Sequence, residues 1–250
     1  MNGVILAIDQ GTTSSTALVF TEDGSIIGTS SNEIRQKYPK PGWVEQDPDE
    51  IWNVSLSAMR QAISNANCSP TQIKAIGISN QRETTLIWDR STGIPIHPAI
   101  VWQSRQRSAI CERLRSAGFE TPARAKPGHV IDPYFSASKI LCLFERYPDL
   151  YRLAQAGKVL FGTIDSWLLW NLTGHQVHAT DPTNASRTLL YNIHDQHWDR
   201  DLLELFDIPP VLLPTVKPSC GLFGETLGVE GLPDGLPISG LSLIHISEPT

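Results

Sequence analysis

The segment that most constrains this chain is the apolar run Val4-Ile5-Leu6-Ala7-Ile8, which breaks off at Asp9-Gln10-Gly11-Thr12-Thr13-Ser14-Ser15 and resumes at Ala17-Leu18-Val19-Phe20. Two strand-forming runs around a short, polar, glycine-containing tip describe a β-hairpin. A third run starts at Ile26, after the turn residues Glu22-Asp23-Gly24-Ser25, so a three-strand meander is predicted. The tip gathers a carboxylate, a glycine and four hydroxyls. That set suits phosphate chemistry: glycine allows close backbone approach, hydroxyls and amides donate to phosphate oxygens, and Asp9 could hold Mg²⁺ directly or through water. Taken alone, it is equally an ordinary polar hairpin turn. Neither a G-x-x-x-x-G-K-[ST] loop nor G-x-G-x-x-G is present.

Downstream, Asp47-Pro48-Asp49-Glu50 supplies an N-cap, a proline at the first helical position and acids in the first turn. Ile51, Val54, Ala58, Met59 and Ala62 follow at helical spacing, predicting a helix to about Asn65. Residues 73–78, 84–88 and 100–102 read as strands. Residues 104–115 read as a polar, Arg-rich helix, and 136–147, 163–171 and 199–206 as amphipathic helices. Alternating strands and helices in 250 residues predict an α/β domain whose sheet begins antiparallel and continues with helix crossovers. After Phe206, the prolines and glycines from Pro209 to Pro237 read as a loop-rich edge or linker.

Asn80-Gln81-Arg82-Glu83-Thr84 sits where a buried strand ends, a place where α/β sheets present ligand groups. Arg82 and Glu83 place donors beside an acceptor, which a vicinal diol needs because each hydroxyl both donates and accepts. The bland alternative is an exposed Arg-Glu ion pair. Trp102, closing another strand, could lay its face on the C–H side of a small polyol or simply pack in the core. Tyr134, in Ile131-Asp132-Pro133-Tyr134-Phe135, could offer its hydroxyl or merely staple a helix entry.

A net charge of −6 argues against a nucleic-acid surface, which needs clustered Lys and Arg. Cys68, Cys111, Cys142 and Cys220 lie far apart, without zinc or dithiol spacing, which favours reduced thiols and a cytosolic setting. The N-terminus lacks the basic flank and length of a signal peptide, and no apolar run reaches the roughly 18 residues of a membrane span. His175 with His178, and His194 with His197, have a ligand-like spacing, but without cysteines or an H-E-x-x-H pattern they read as solvated or packed histidines.

Together these segments resemble the glycerol kinases of the FGGY family of carbohydrate kinases, over about residues 4–240. The resemblance rests on residues 9–15, on Tyr38-Pro39-Lys40-Pro41-Gly42-Trp43-Val44-Glu45-Gln46-Asp47-Pro48 and on Gly77-Ile78-Ser79-Asn80-Gln81-Arg82-Glu83-Thr84-Thr85. It extends through Ala99-Ile100-Val101-Trp102-Gln103, residues 131–136 and Asp181-Pro182-Thr183-Asn184-Ala185-Ser186-Arg187-Thr188. It implies an actin-like ATPase fold with an RNase-H-like first domain, a mixed sheet flanked by helices. It further implies a second domain, carrying most of the adenosine pocket, that is expected to be missing from this chain. It also implies a cytoplasmic, homo-oligomeric enzyme that phosphorylates glycerol with ATP and Mg²⁺. Arg82, Glu83, Trp102 and Tyr134 would line the glycerol site, and Asp9, Gly11, Thr12, Thr13 and Ser14 would face the ATP phosphates, with Asp9 toward the metal. Two departures stand out. Thr16 replaces an arginine usually aimed at the phosphates. Past Gly240, where the family's catalytic aspartate is expected, residues 241–250 read as an atypical tail of non-family sequence, so the chain alone is expected to be inactive. A kinase for another small polyol or sugar, or a non-catalytic actin-like nucleotide-binding module, are the alternative functions.

Overall fold

The computed structural model describes residues 3–106 and 108–241. The predicted meander is present as β1 (Val4–Gln10), β2 (Ser14–Thr21) and β3 (Ile26–Glu33). Val4, Leu6 and Ile8 of β1 face the core while Ile5 and Asp9 face out, the two-residue period of a strand. The antiparallel register sets Asp9 opposite Thr16 and Gln10 opposite Ser15, leaving residues 11–13 as the tip. After the short β4 (Glu45–Gln46) comes α1 (Pro48–Asn65), whose N-cap Asp47 accepts from the Asp49 amide as predicted. Its face of Ile51, Ala58, Met59, Ala62 and Ile63 covers the meander. The approach is close at Gly28 of β3: a Cβ there would lie 2.3 Å from the Ala62 carbonyl oxygen.

The crossover through α1 leads to β5 (Ile73–Asn80), parallel to β1 with Gln10 beside Asn80. Carboxyl ends of parallel strands therefore meet at one edge, bringing the hairpin tip against the loop that starts at residue 81.

From there the chain builds a second layer. β6 (Leu86–Asp89) pairs antiparallel with β8 (Val159–Gly162), and β7 (Ala99–Ile100) with β4. Around them lie α2 (Ser108–Ser116), α3 (Glu120–Ala125), α4 (Ser136–Arg146), α5 (Pro148–Gln155) and α6 (Ile164–Leu172). A second apolar cluster includes Ile87, Ile100, Ile110, Ile140, Leu143, Phe161 and Phe206. β9 (Ala179–Thr180), α7 (Pro182–Ala185), β10 (Tyr191–Asn192), β11 (His197–Trp198), α8 (Arg200–Phe206) and β12 (Thr215–Val216) complete this part. Finally β13 (Cys220–Glu225) and β14 (Pro237–Leu241) return to the first sheet, giving the order β13-β14-β5-β1-β2-β3.

The fold differs in several places from what the sequence predicts. The segment after Phe206 is not a linker, because two of its runs enter the main sheet and β14 lies inside it. Helix 163–171 was read as amphipathic, yet α6 is buried on nearly every face, since it lies between the first sheet and the β6–β8 pair. The Arg-rich helix begins at Ser108 rather than 104, and the strand read at 100–102 ends at Ile100. Leu241, placed in the tail by sequence, is the buried last residue of β14, paired with Ile78, and residues 242–250 lie outside the described residues. Among the described residues, no helix is long and apolar enough to cross a membrane.

Candidate active site

The hairpin tip is held from below by glutamine side chains. The Gly11 carbonyl accepts from Gln10 Nε2 at 2.7 Å and from Gln81 Nε2 at 3.3 Å, and the Thr12 carbonyl accepts from Gln46 Nε2 at 2.6 Å. Gln81 Nε2 also donates to Gln46 Oε1 at 2.9 Å, so the tip, β4 and the loop after β5 share one buried amide network. Gly11 is not in a left-handed conformation. Its small size matters because a Cβ would lie 3.2 Å from the Ser14 carbonyl oxygen. The Thr13 carbonyl accepts from the Ile34 amide at 2.9 Å, and the Thr12 and Thr13 amides have no protein acceptor among the described residues. Two unpaired amides, the exposed Thr13 side chain and the half-buried Ser14 form a donor set suited to phosphate oxygens. Asp9 is exposed at the end of β1, beside Ser79 and opposite Thr16, whose hydroxyl lies 2.9 Å from that of Ser31.

The loop after β5 is anchored by Asn80, whose Nδ2 donates to Asn184 Oδ1 at 2.9 Å, and by Thr84 Oγ1, which donates to Gln81 Oε1 at 2.9 Å. Thr84 Oγ1 in turn accepts from the Trp102 amide at 3.2 Å, tying the two predicted loops together. Trp102 reaches further: its Nε1 donates to Thr12 Oγ1 at 2.9 Å, and its ring meets Tyr134 edge to face with centroids 5.6 Å apart. One indole therefore touches both the hairpin tip and the aromatic wall.

Glu83 does not pair with Arg82. Its carboxylate, 3% exposed, binds Arg187 Nε at 2.5 Å, and the guanidinium carbon of Arg187 lies 5.3 Å from the Tyr134 ring and 5.0 Å from that of Phe135. Arg82 is half-buried, and burial together with the charges of Arg187 and Arg82 pushes the His129 imidazole below its usual range. Arg82 thus shares the neighbourhood of Arg187 and His129, although among the described residues its guanidinium has no hydrogen-bond partner. A cavity of about 260 Å³ is lined by Trp102, Gln103, Ser104, Arg105, Asp132 and Tyr134. Glu83 and Arg82 are not among its walls, so the diol-matching pair read from sequence lies beside the cavity rather than within it. A larger groove of about 710 Å³, between α5 and α8, contains no candidate residue.

Contacts thus bring Trp102, Tyr134, Glu83 and Thr12 into one cluster. Arg187 was missed in the sequence. A carboxylate buried at the end of a strand needs a cation, but nothing local points to one some hundred positions away. Among the described residues, no group of three His, Cys, Asp or Glu could hold a metal. His178 bonds the Phe161 carbonyl and His175 stacks on Trp170, in keeping with packed histidines.

With its sheet order and site in view, the chain belongs to the FGGY family of carbohydrate kinases, whose amino-terminal-domain profile matches residues 4–242. It is 54% identical over 238 residues to a glycerol kinase of Thermus brockianus and 52% identical to one of Trichlorobacter lovleyi, covering 95% of this chain and 48% of each of those proteins. The chain therefore spans about half the length of the curated relatives it matches. Among solved structures, Plasmodium falciparum glycerol kinase with ADP superposes with a TM-score of 0.90 at 36% identity, over 96% of this chain and 48% of that one. A gluconate kinase from Lactobacillus acidophilus superposes at 0.87 with 21% identity, a likeness of fold alone.

Proposed function

We propose that this chain supplies the polyol-binding and phosphate-binding side of a cytosolic glycerol kinase that transfers the γ-phosphoryl group of ATP to glycerol. The observation that carries the reading is the Trp102 indole, bonded to Thr12 of the hairpin tip and packed on Tyr134, because phosphoryl transfer needs acceptor and phosphate held side by side. Glycerol would lie against Trp102 and Tyr134, with the half-buried Arg82 donating to its hydroxyls from beside the cavity and Glu83, held by Arg187, fixing the loop that carries Arg82. The unpaired amides of the tip, with Thr13 and Ser14, would donate to the ATP phosphates. Mg²⁺ suits Asp9, since that ion keeps most of its waters and binds proteins through one or two carboxylates together with substrate phosphates. When bound, it would neutralise developing phosphate charge. Cys68, Cys111 and Cys220, which form no disulfide, are compatible with a reducing compartment.

The test is a chimera: residues 4–240 joined to the complete second domain of a family member should release ADP in a glycerol-dependent manner in a coupled assay. Gluconate or xylulose supporting faster turnover than glycerol would transfer the assignment to another sugar or polyol. Absence of turnover with all three would refute a kinase role for these residues.

A further inference from the structure

Lys139 lies on the inward face of α4, 2% exposed, among residues such as Ile140 and Leu143. Lysine is almost never fully buried without a partner, and Leu or Met in such a place would serve stability better. Burial pushes its pKa down to about 7, against the pull of Glu83 and then of Asp132. Among the described residues, its ammonium forms no ion pair within salt-bridge distance. Instead Nζ donates to two backbone carbonyls, that of Glu83 at 3.1 Å and that of Tyr134.

These two carbonyls belong to the two loops that carry candidate polyol contacts. Glu83 has φ +60°, a left-handed conformation that a residue with a Cβ adopts only when its surroundings impose it. Its surroundings do so at both ends: Arg187 holds the carboxylate, while Lys139 and Thr85 Oγ1 hold the carbonyl. Tyr134 immediately precedes Phe135, the N-cap residue of α4, so the lysine folds back along its own helix to reach it. A role in securing the helix entry would explain the Tyr134 bond but not the bond to Glu83.

We infer that Lys139 is a positioning residue for the polyol site, fixing the Glu83 loop and the Tyr134 loop at one separation by donating to both. The inference rests on the glycerol reading only for what the site binds; the loop geometry stands apart from it. In the chain as it is, Lys139→Met should raise amide hydrogen exchange in residues 82–85 and 132–136 by about tenfold or more, the scale of a lost charged hydrogen bond, with β1 and β5 unchanged. Glycerol binding, read by saturation-transfer NMR, should weaken by a similar factor, and Lys139→Arg, which keeps the donors, should restore part of both. Exchange that rises equally throughout the sheet would mean a merely structural lysine and overturn the inference, as would unchanged exchange in the two loops. If Lys139→Met does not fold, Lys139→Gln is read by the same two measurements. If the wild-type chain binds no glycerol, the glycerol reading fails, and the exchange pattern alone decides for or against Lys139.

Discussion

Removing Arg187 tests the electrostatics of the site most directly. Arg187→Met keeps an unbranched apolar stem near Tyr134 and Phe135 but withdraws the charge from Glu83, whose side chain is 3% exposed while Arg187 itself is 22% exposed. Breaking a buried pair from one side typically costs about 3–5 kcal/mol, because a desolvated charge is left without its partner. Water reaching the vacated position lowers this toward about 3 kcal/mol, and the lost cation–π contacts restore roughly 0.5–1 kcal/mol. In a domain of this size the resulting cost of about 3.5–4 kcal/mol corresponds to a fall in Tm of roughly 7–16 °C. Urea unfolding followed by circular dichroism gives the same quantity from the midpoint. Glu83→Gln should cost less, about 1–2 kcal/mol, since the partly exposed guanidinium can be hydrated. The double variant should then be more stable than Arg187→Met alone, because the stranded charge is gone. An Arg187→Met midpoint within about 0.5 kcal/mol of wild type would refute the view that Glu83 is a buried carboxylate neutralised by Arg187.

Two further outcomes follow from the core. Burial holds His97 and His178 neutral down to about pH 4 and pushes the Asp165 carboxyl up to about 7. The unfolded chain takes up two imidazole protons between about pH 6.5 and 4 that the folded chain refuses, a loss of roughly 3 kcal/mol for each histidine. Folded Asp165 takes up its proton earlier than unfolded aspartate and so offsets roughly 4 kcal/mol of that loss over the same window. Asp165→Asn should therefore lose stability more steeply than wild type between pH 7 and 4, and equal slopes in urea midpoint would contradict it. Gly28→Ala should destabilise by about 1–3 kcal/mol, since its Cβ would press on the Ala62 carbonyl and force α1 off the sheet; an unchanged thermal midpoint would show that α1 yields freely.

How much of this was legible in the sequence depended on the range of the interaction. The meander, the Asp47 cap and the extent of α1 are set by neighbours in sequence, and periodicity and capping chemistry located them closely. α6 was found as a helix but misjudged as amphipathic, because which faces are covered depends on elements on both sides of it. β13 was missed because a glycine- and proline-rich segment hides a short strand, and the place of β14 inside the sheet is decided by β5, far away in sequence. In the site, Glu83, Trp102, Tyr134 and Thr12 could be named from local pattern and resemblance. The cation that neutralises Glu83 and the lysine that spans the two loops act across the fold, and residue type alone does not choose them from the other basic residues.

The position of β14 also bears on how the chain is made. β5 is complete at residue 80, yet the strand that covers its free side spans residues 237–241, and all of the second layer except β4 is synthesised between them. Until residues 237–241 are made, the backbone amides and carbonyls along one side of β5 have no strand of their own chain to pair with. An uncapped edge is a template for any passing strand. For this topology the exposed species is a ribosome-bound chain in which β14 has not yet emerged, and the rate at which residues 81–236 are translated sets how long that edge stands open.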